Sequence, residues 1–266
     1  MHKVIDFGAL RSEQLSEFFS SSDENIAVLT DMMAIESLKQ KELRHYQLSL
    51  EILSRNDKRV VILKPSGVAA RIRPNRTEFP NNLIDLDATA RFPSFCAQAL
   101  SASRPQVVEH IEKNQNQARA FVAKVTSNIE ILREAVPSTL ANFPPSVLTD
   151  LRAGRMSLNH PDVLRYIRTS GEMIALDQFA KFFPGERPPS SSELLRWFPL
   201  RYSVALYSLG IKWNIAGGLS SAKPDTLRND GIDMFYVAYG TAFDGVMSQD
   251  AKLIEIFDLA NAALLV

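Results

Sequence analysis

The sequence contains few of the residues that would place it in a specialised class of proteins. It has one cysteine, Cys96, among 266 residues, which excludes a disulfide framework and a cysteine-rich zinc site within one chain. We expect Cys96 to be a small buried hydrophobic residue. Basic and acidic residues number 30 each, and the resulting zero net charge excludes a polybasic protein that holds nucleic acid by bulk attraction.

Long hydrophobic runs are also missing. The most apolar stretch, residues 202–219, is interrupted by Lys212 and Asn214, whereas a membrane-spanning helix needs roughly 18 consecutive apolar residues. The first residues lack the apolar core of a signal peptide. We therefore expect a cytoplasmic protein with no membrane partner. The Gly217-Gly218 pair lacks the Gly-Lys-Ser/Thr sequence of a phosphate-binding loop, and we predict a helix C-cap and turn there.

Both ends of the chain have the pattern of a parallel α/β sheet. Residues 26–30 form a continuous apolar run, which is typical of a strand covered on both faces. A second such run at 59–63 follows a long stretch of helical spacing, so the first 65 residues indicate a strand–helix–strand unit. The elements predicted around these strands are a polar helix within 12–24, a helix over 33–54, a turn at 224–229, a helix over 230–241, a strand within 242–248 and a last helix that begins at Asp250.

The middle of the chain indicates helices separated by prolines, with few strand signals. The predicted helices are 105–135, 146–153, 161–183 and 191–213, and we expect Trp197 and Trp213 to belong to a hydrophobic core. The resulting division is an α/β domain made of residues 1–80 and 215–266, with residues 81–214 as a helical insertion or subdomain.

Acidic residues follow the predicted strands. Asp31 ends the first strand, Glu36 lies about one turn into the next helix, Asp230 and Asp233 share a helix face, and Asp250 follows the last strand. Ligands of parallel sheets bind at the carboxyl ends of strands. Taken singly, each aspartate is also explained as a turn or helix-cap residue.

A cluster of carboxylates has a defined chemistry. Without a cation, some of its members take up protons at neutral pH, and oxygen-only ligands favour Mg²⁺ or Mn²⁺ over zinc. Such a metal lowers the pKa of bound water and polarises a phosphoryl oxygen. The joint placement of the acids therefore favours hydrolysis of phosphodiesters.

Two segments carry a resemblance to a known family. They read Ile-Ala-Val-Leu-Thr-Asp31-Met-Met-Ala-Ile-Glu36 and Asn-Asp230-Gly-Ile-Asp233-Met-Phe-Tyr-Val-Ala-Tyr-Gly-Thr-Ala-Phe-Asp244-Gly-Val-Met-Ser-Gln-Asp250. The chain resembles the PIN-like nuclease superfamily, whose members carry a helix with an early Asp and then a short strand that ends in a Thr/Ser-x-Asp step. Here that step is Ser248-Gln249-Asp250. The resemblance covers roughly 26–65 and 225–260, and the Asp-x-x-Asp variant looks like bacterial subgroups.

The resemblance implies a fold and a set of site residues. The fold is a three-layer α/β/α sandwich with a parallel sheet. Asp31, Asp233 and Asp250 match the carboxylates that bind the metal and carry catalysis, and Asp230 is an additional candidate. No acid follows the second strand where the family usually has one, and the candidates to replace it are Glu36, Glu78, Asp85 and Asp87. The resemblance gives the helical middle no function, and it makes a toxin or defence role conceivable.

Basic residues gather after the second predicted strand. Lys64, Arg71, Arg73 and Arg76 lie where ligands of parallel sheets collect, so they are candidates to hold a nucleic-acid backbone. The resemblance implies RNA rather than DNA. A solvated surface loop is the alternative interpretation.

Two other functions remain open at this stage. The first is a catalytically incomplete PIN-like binding or regulatory module, whose helical insertion contacts a protein partner such as an inhibitor or a second copy of the chain. The second is a phosphatase of the haloacid dehalogenase type. That class needs Asp-x-Asp after the first strand, but Met33 stands at the second place.

Overall fold

Four short parallel strands form the centre of the part of the chain that the structure describes. The computed structural model describes residues 1–38, 43–75, 78–101, 143–217 and 223–266. In it the strands pair in the order β3-β2-β1-β4, where β1 is His2–Ile5, β2 is Ile26–Leu29, β3 is Val60–Ile62 and β4 is Val246–Met247. All of these pairings are parallel. The predicted α/β class with a parallel sheet is therefore confirmed.

Helices make up most of the remaining described chain. In chain order they are α1 (Glu13–Ser21), α2 (Asp31–Leu38), α3 (Leu43–Arg55), α4 (Ser66–Ala69), α5 (Leu86–Ser101), α6 (Pro145–Arg152), α7 (Pro161–Phe182), α8 (Ser191–Leu194), α9 (Phe198–Ile215), α10 (Pro224–Gly240) and α11 (Ala251–Leu265). Short 3₁₀ turns cover Phe7–Arg11, Asp57–Arg59 and Asn81–Leu83. No helix of these described ranges is long and apolar enough to cross a membrane.

Both faces of the sheet are buried under helices. Successive residues of a strand point to opposite faces, and Val4 and Val28 accordingly join one hydrophobic cluster while Ile5 and Leu29 join another. The first cluster contains residues of α6, α7, α9, α10 and α11. The second contains residues of α1, α3 and α5, including Cys96, which is buried as expected. This layering is consistent with an α/β/α arrangement.

Several predicted element boundaries are wrong. Residues 224–229 belong to α10 instead of forming a turn, because Pro224 occupies the first turn of the helix, where its missing N–H costs nothing. Within the range predicted as one helix over 33–54, the described residues form α2 and α3, and residues 39–42 lie outside them. The helix predicted over 191–213 is interrupted before Phe198. The last strand is confined to Val246–Met247, and β1 was not predicted. The predicted helix at 105–135 lies outside the described residues.

The described helical middle shares its core with the sheet. Trp197 is 1% exposed and lies in the same cluster as Val4 and Val28, so the prediction that it is a core residue is confirmed. Helices α7 and α9 approach closely at Gly171, where an added Cβ would stand 2.5 Å from Val204 Cγ2. The division into 1–80 with 215–266 and 81–214 stays a prediction, but one hydrophobic cluster spans it.

Candidate functional site

Polar groups follow β1 and β4 at the carboxyl edge of the sheet. Asp6 comes directly after β1, and Ser248 comes directly after β4, its parallel neighbour. The Ser248 hydroxyl donates a hydrogen bond of 2.7 Å to Asp6 Oδ2. The same hydroxyl accepts a bond of 3.0 Å from the backbone N–H of Asp250. Ser248 therefore connects the two acidic residues and fixes the carboxylate of Asp6.

Asp250 caps the last helix. Its Oδ1 accepts hydrogen bonds from the backbone N–H groups of Lys252, at 2.8 Å, and Leu253, at 3.3 Å. An aspartate at this position satisfies N–H groups that a helix leaves unpaired and favours the positive end of its dipole. Asp250 is thus the N-cap of α11. It is also exposed at the edge of the sheet.

The central helix α10 brings further acids to this edge. Asp230, Asp233 and Tyr236 follow one another at intervals of three residues, so they lie along one side of the helix. The buried Tyr236 hydroxyl donates a bond of 2.7 Å to Glu36 Oε2 on α2. Burial and the Glu36 charge raise the pKa of Tyr236 well above its ordinary value. This bond ties Glu36 to the helix that carries the two aspartates.

Asp233 lies in the strongest accumulation of negative charge. Burial, and then the charges of Glu36, Asp6, Asp230 and Asp250, raise the pKa of Asp233 from 3.8 to about 8. Its carboxyl forms no hydrogen bond or ion pair with the described residues. The pKa of Asp6 is also raised, by burial and in small part by Asp250, although bonds from Ser248, Gly8 and Phe7 oppose the shift. The acids therefore share one electrostatic environment.

Asp230 differs from the other acids because both of its oxygens are occupied. Lys252 Nζ contacts Oδ1, and the Trp213 Nε1–H donates a bond of 2.9 Å to Oδ2. The Asp230 side chain is only 4% exposed. A second lysine, Lys212 on α9, pairs with Glu255. Burial and the neighbouring Lys252 lower the pKa of Lys212, while Asp250 opposes this shift. The lysines therefore stand beside the acids.

Asp31 occupies a separate environment. Its Oδ2 accepts bonds from the backbone N–H and the hydroxyl of Ser66, at 2.8 and 2.9 Å. Burial raises the pKa of Asp31 in spite of these bonds. Its Oδ1 is buried with no partner among the described residues. Asp31 thus joins the start of α2 to the start of α4, and it is not among the charges that raise the pKa of Asp233.

The basic residues after β3 are partly engaged elsewhere. Lys64 Nζ donates a bond of 2.8 Å to the carbonyl of Asn82. Arg73 pairs with Glu186 at 2.6 Å and lies over the ring of Phe183. Arg71 is exposed, and Arg76 lies outside the described residues. Lys64 and Arg73 therefore already have partners, and the role of Lys64, Arg71 and Arg73 in holding nucleic acid stays a prediction.

The acids suit a divalent cation in donor type and charge, but they do not form a finished ligand set. Carboxylate oxygens are the donors that Mg²⁺ and Mn²⁺ prefer, and burial together with the charges of four neighbouring acids raises the pKa of Asp233. Within the described residues, however, no three His, Cys, Asp or Glu side chains are placed to hold one metal ion. The fit is therefore one of chemistry and electrostatics.

Loss of the Tyr236 hydroxyl tests the bond between α10 and Glu36. We expect Tyr236→Phe to lower the free energy of unfolding by about 1.5–3 kcal/mol, because the bond ends on a carboxylate and the site is buried. Urea denaturation measures this. Tyr202→Phe is the control, since the Tyr202 hydroxyl makes no hydrogen bond to a described residue. Equal effects of the two variants would show that the Tyr236 bond adds no stability.

Asp6 is the residue of this site that the sequence prediction missed. The signal was present, because an aspartate follows Val4-Ile5 in the same way that Asp31 follows the apolar run of β2. Comparison with protein-family models, curated proteins and solved structures found no match to this chain.

Proposed function

We propose that the protein is a Mg²⁺- or Mn²⁺-dependent nuclease that acts on RNA in preference to DNA. The observation that carries the proposal is the position of Asp233. Its partly buried carboxyl lacks a hydrogen-bond partner in the described chain and faces the charges of Glu36, Asp6, Asp230 and Asp250 at the carboxyl edge of a parallel sheet. An edge of this kind is where open α/β sheets bind ligands.

The resemblance to PIN-like nucleases agrees with this proposal. The Ser248-Gln249-Asp250 step follows a short parallel strand, and an Asp-x-x-Asp pair lies on the preceding helix. We propose on this basis that the α/β/α layering is of the PIN-like type. The preference for RNA and the choice of these two metals come from the resemblance and from the oxygen-only donors.

Four acids are proposed to move together around the cation when it binds: Asp6, Glu36, Asp233 and Asp250. This movement is needed because no three acids of the described residues are placed to hold one ion as they stand. A bound divalent ion would stabilise negative charge on the phosphoryl group and acidify a water. The protein's own contribution is orientation, because Ser248 fixes Asp6 and Tyr236 fixes Glu36. Groups that hydrogen-bond to metal ligands in this way orient those ligands toward the metal. Asp230 is left out of the set because Lys252 and Trp213 occupy its oxygens.

A matched pair of variants tests this assignment. Asp6→Asn should abolish Mn²⁺-dependent cleavage of a single-stranded RNA and weaken Mn²⁺ binding in calorimetry by at least about tenfold, since it removes a charge from the ligand set. Asp31→Asn should leave the Kd for Mn²⁺ within about twofold of the wild-type value, because the Asp31 carboxylate accepts a hydrogen bond from Ser66. If Asp31→Asn loses the cation while Asp6→Asn keeps it, the assignment is wrong.

A binding or regulatory module without catalysis is the second candidate. It is favoured by the absence of a ready three-residue metal set within the described ranges and by the Lys252 contact that occupies Asp230. This candidate predicts that the wild type binds nucleic acid or a protein but cleaves neither RNA nor DNA at any Mn²⁺ concentration. Cleavage that disappears in Asp6→Asn would exclude it.

A further inference from the structure

We propose that Lys212 and Lys252 hold the phosphate backbone of the substrate beside the acids, in place of the basic residues after β3. The inference rests on the proposed nuclease function and names the groups that bind its substrate. Lys252 Nζ contacts Asp230, and its backbone N–H bonds to Asp250. Lys212 lies near enough to Lys252 and Asp250 for both charges to act on it.

A nucleic acid can approach these acids more easily if positively charged side chains lie beside them. A polyanion approaching Asp6, Glu36, Asp233 and Asp250 is repelled, and a distant cation cannot offset this because exposed charges are screened within about 8–10 Å. Lys212 and Lys252 come from α9 and α11, which flank the acids. The charge of Asp250 acts on Lys212, whereas Lys252 pairs with Asp230 through its side chain and bonds to Asp250 through its backbone N–H. Arg73 instead pairs with Glu186, and Lys64 turns to the Asn82 carbonyl.

Both lysines can bind a phosphate without releasing their present partners. An ammonium group has three N–H donors, and the pairs with Asp230 and Glu255 each involve one carboxylate oxygen. The Lys252 side chain is 37% exposed and the Lys212 side chain 26%, so both reach solvent at the rim. Phosphate contacts of this kind position a nucleic acid without reading its sequence.

The pairs Lys212–Glu255 and Lys252–Asp230 differ in whether the lysine can be replaced without leaving a buried, unpaired charge. Glu255 is 63% exposed, so Lys212→Gln leaves a carboxylate that water can solvate. Asp230 is buried, and Lys252→Gln alone would leave its charge without an ionic partner, with only the bond from Trp213. The double variant Asp230→Asn/Lys252→Gln removes both charges together, so it preserves the neutrality of the pair. Lys181, which pairs with Asp177 on α7, provides a remote control in Lys181→Gln.

The experiment measures how each variant binds and cleaves a single-stranded RNA oligonucleotide. Binding is followed by fluorescence anisotropy in an Asp233→Asn background, which prevents cleavage, at several salt concentrations. We expect Lys212→Gln and the double variant each to weaken binding about three- to tenfold and to reduce the salt slope by about 0.7. In the active background, Lys212→Gln should raise KM with kcat changed by less than about twofold.

Several results would overturn the proposal. One is unchanged affinity and salt slope in Lys212→Gln and in the double variant while the wild type still cleaves RNA. Another is a loss of affinity in Arg73→Gln that exceeds the losses in Lys212→Gln and in the double variant. A third is a fall in kcat at constant KM in Lys212→Gln. In these cases the nuclease proposal stands, because Mn²⁺ binding in calorimetry is measured separately. A wild type that neither binds nor cleaves nucleic acid removes both proposals.

Discussion

Replacing Asp233 with asparagine is expected to have opposite effects on stability and on activity. Burial, and then the charges of the surrounding acids, raise the pKa of Asp233 to about 8, so its ionised form destabilises the folded protein. Above pH 8 and without divalent cations, Asp233→Asn should be more stable than the wild type by on the order of 2 kcal/mol after allowance for solvent screening. That gain corresponds to a rise in Tm of roughly 5 °C. The same variant should lose RNA cleavage by about 100-fold or more.

The sign of the pH dependence follows from the direction of the shift. Between pH 4 and pH 8 the folded protein holds a proton on Asp233 that the unfolded chain releases near its ordinary value of 3.8. Stability contributed by this group is therefore present in full below about pH 4 and falls as the pH rises through 8. The difference in Tm between Asp233→Asn and the wild type should accordingly vanish at low pH.

Adding Mn²⁺ should reverse the order of the two proteins. A cation that binds only the folded wild type stabilises it according to the ratio of its concentration to its Kd, whereas Asp233→Asn lacks this ligand. Thermal scans with and without Mn²⁺ measure the crossover. Asp258→Asn is the control, since Asp258 is an exposed acid of α11. If Mn²⁺ stabilises both variants as much as the wild type, Asp233 does not bind the cation.

Trp197→Ala is expected to cost more stability than the other core substitutions considered. The ring is 1% exposed and stands 5.8 Å from the ring of Phe179, and Phe182 and Phe183 also surround it. Truncation of a buried Trp costs about 3–5 kcal/mol, which lowers Tm by roughly 10 °C for a chain of this size. Phe182→Ala should cost less, because Phe182 is already 39% exposed.

The same variant distinguishes one cooperative unit from two. Trp197 lies in one hydrophobic cluster with Val4 and Val28 of the sheet, so the loss should affect the whole described core. Trp213, whose indole bonds to Asp230, remains as a fluorescent reporter of the acids. We expect its fluorescence and the far-ultraviolet circular dichroism to report one coincident transition. Two separated transitions would show that residues 81–214 form an independent subdomain.

Local patterns sufficed for elements that are long or flanked by clear signals. The strand β2 and a last helix that begins at Asp250 were predicted, and the structure confirms both, with Asp250 as the N-cap of that helix. By contrast, β1 spans only His2–Ile5, and half of these residues are polar. Its strand conformation depends on pairing with β2 and β4, which no local pattern contains. Because β1 was missed, Asp6 was missed with it.

The sequence was also insufficient to predict which aspartates lie together in the acidic cluster. Asp31 and Asp6 both follow a strand, yet Asp31 is bound by Ser66, whereas Asp6 is bound by Ser248 and lies within reach of the Asp250 charge. Which aspartate joins the cluster depends on strand order, since β1 lies beside β4 and β2 does not. Strand order is a long-range property, and sequence spacing alone did not determine it.

The pairing of β1 with β4 also determines when the acidic site can exist. Val4 and Val246 are partners in the sheet, although almost the whole chain separates them. A contact of such high order forms late in folding, because closing a long loop costs entropy before the contact can compensate for it. During synthesis, Asp6 emerges long before Asp250. The nascent chain therefore remains without the assembled acids, and any reaction at them begins only once residues 246–250 have left the ribosome.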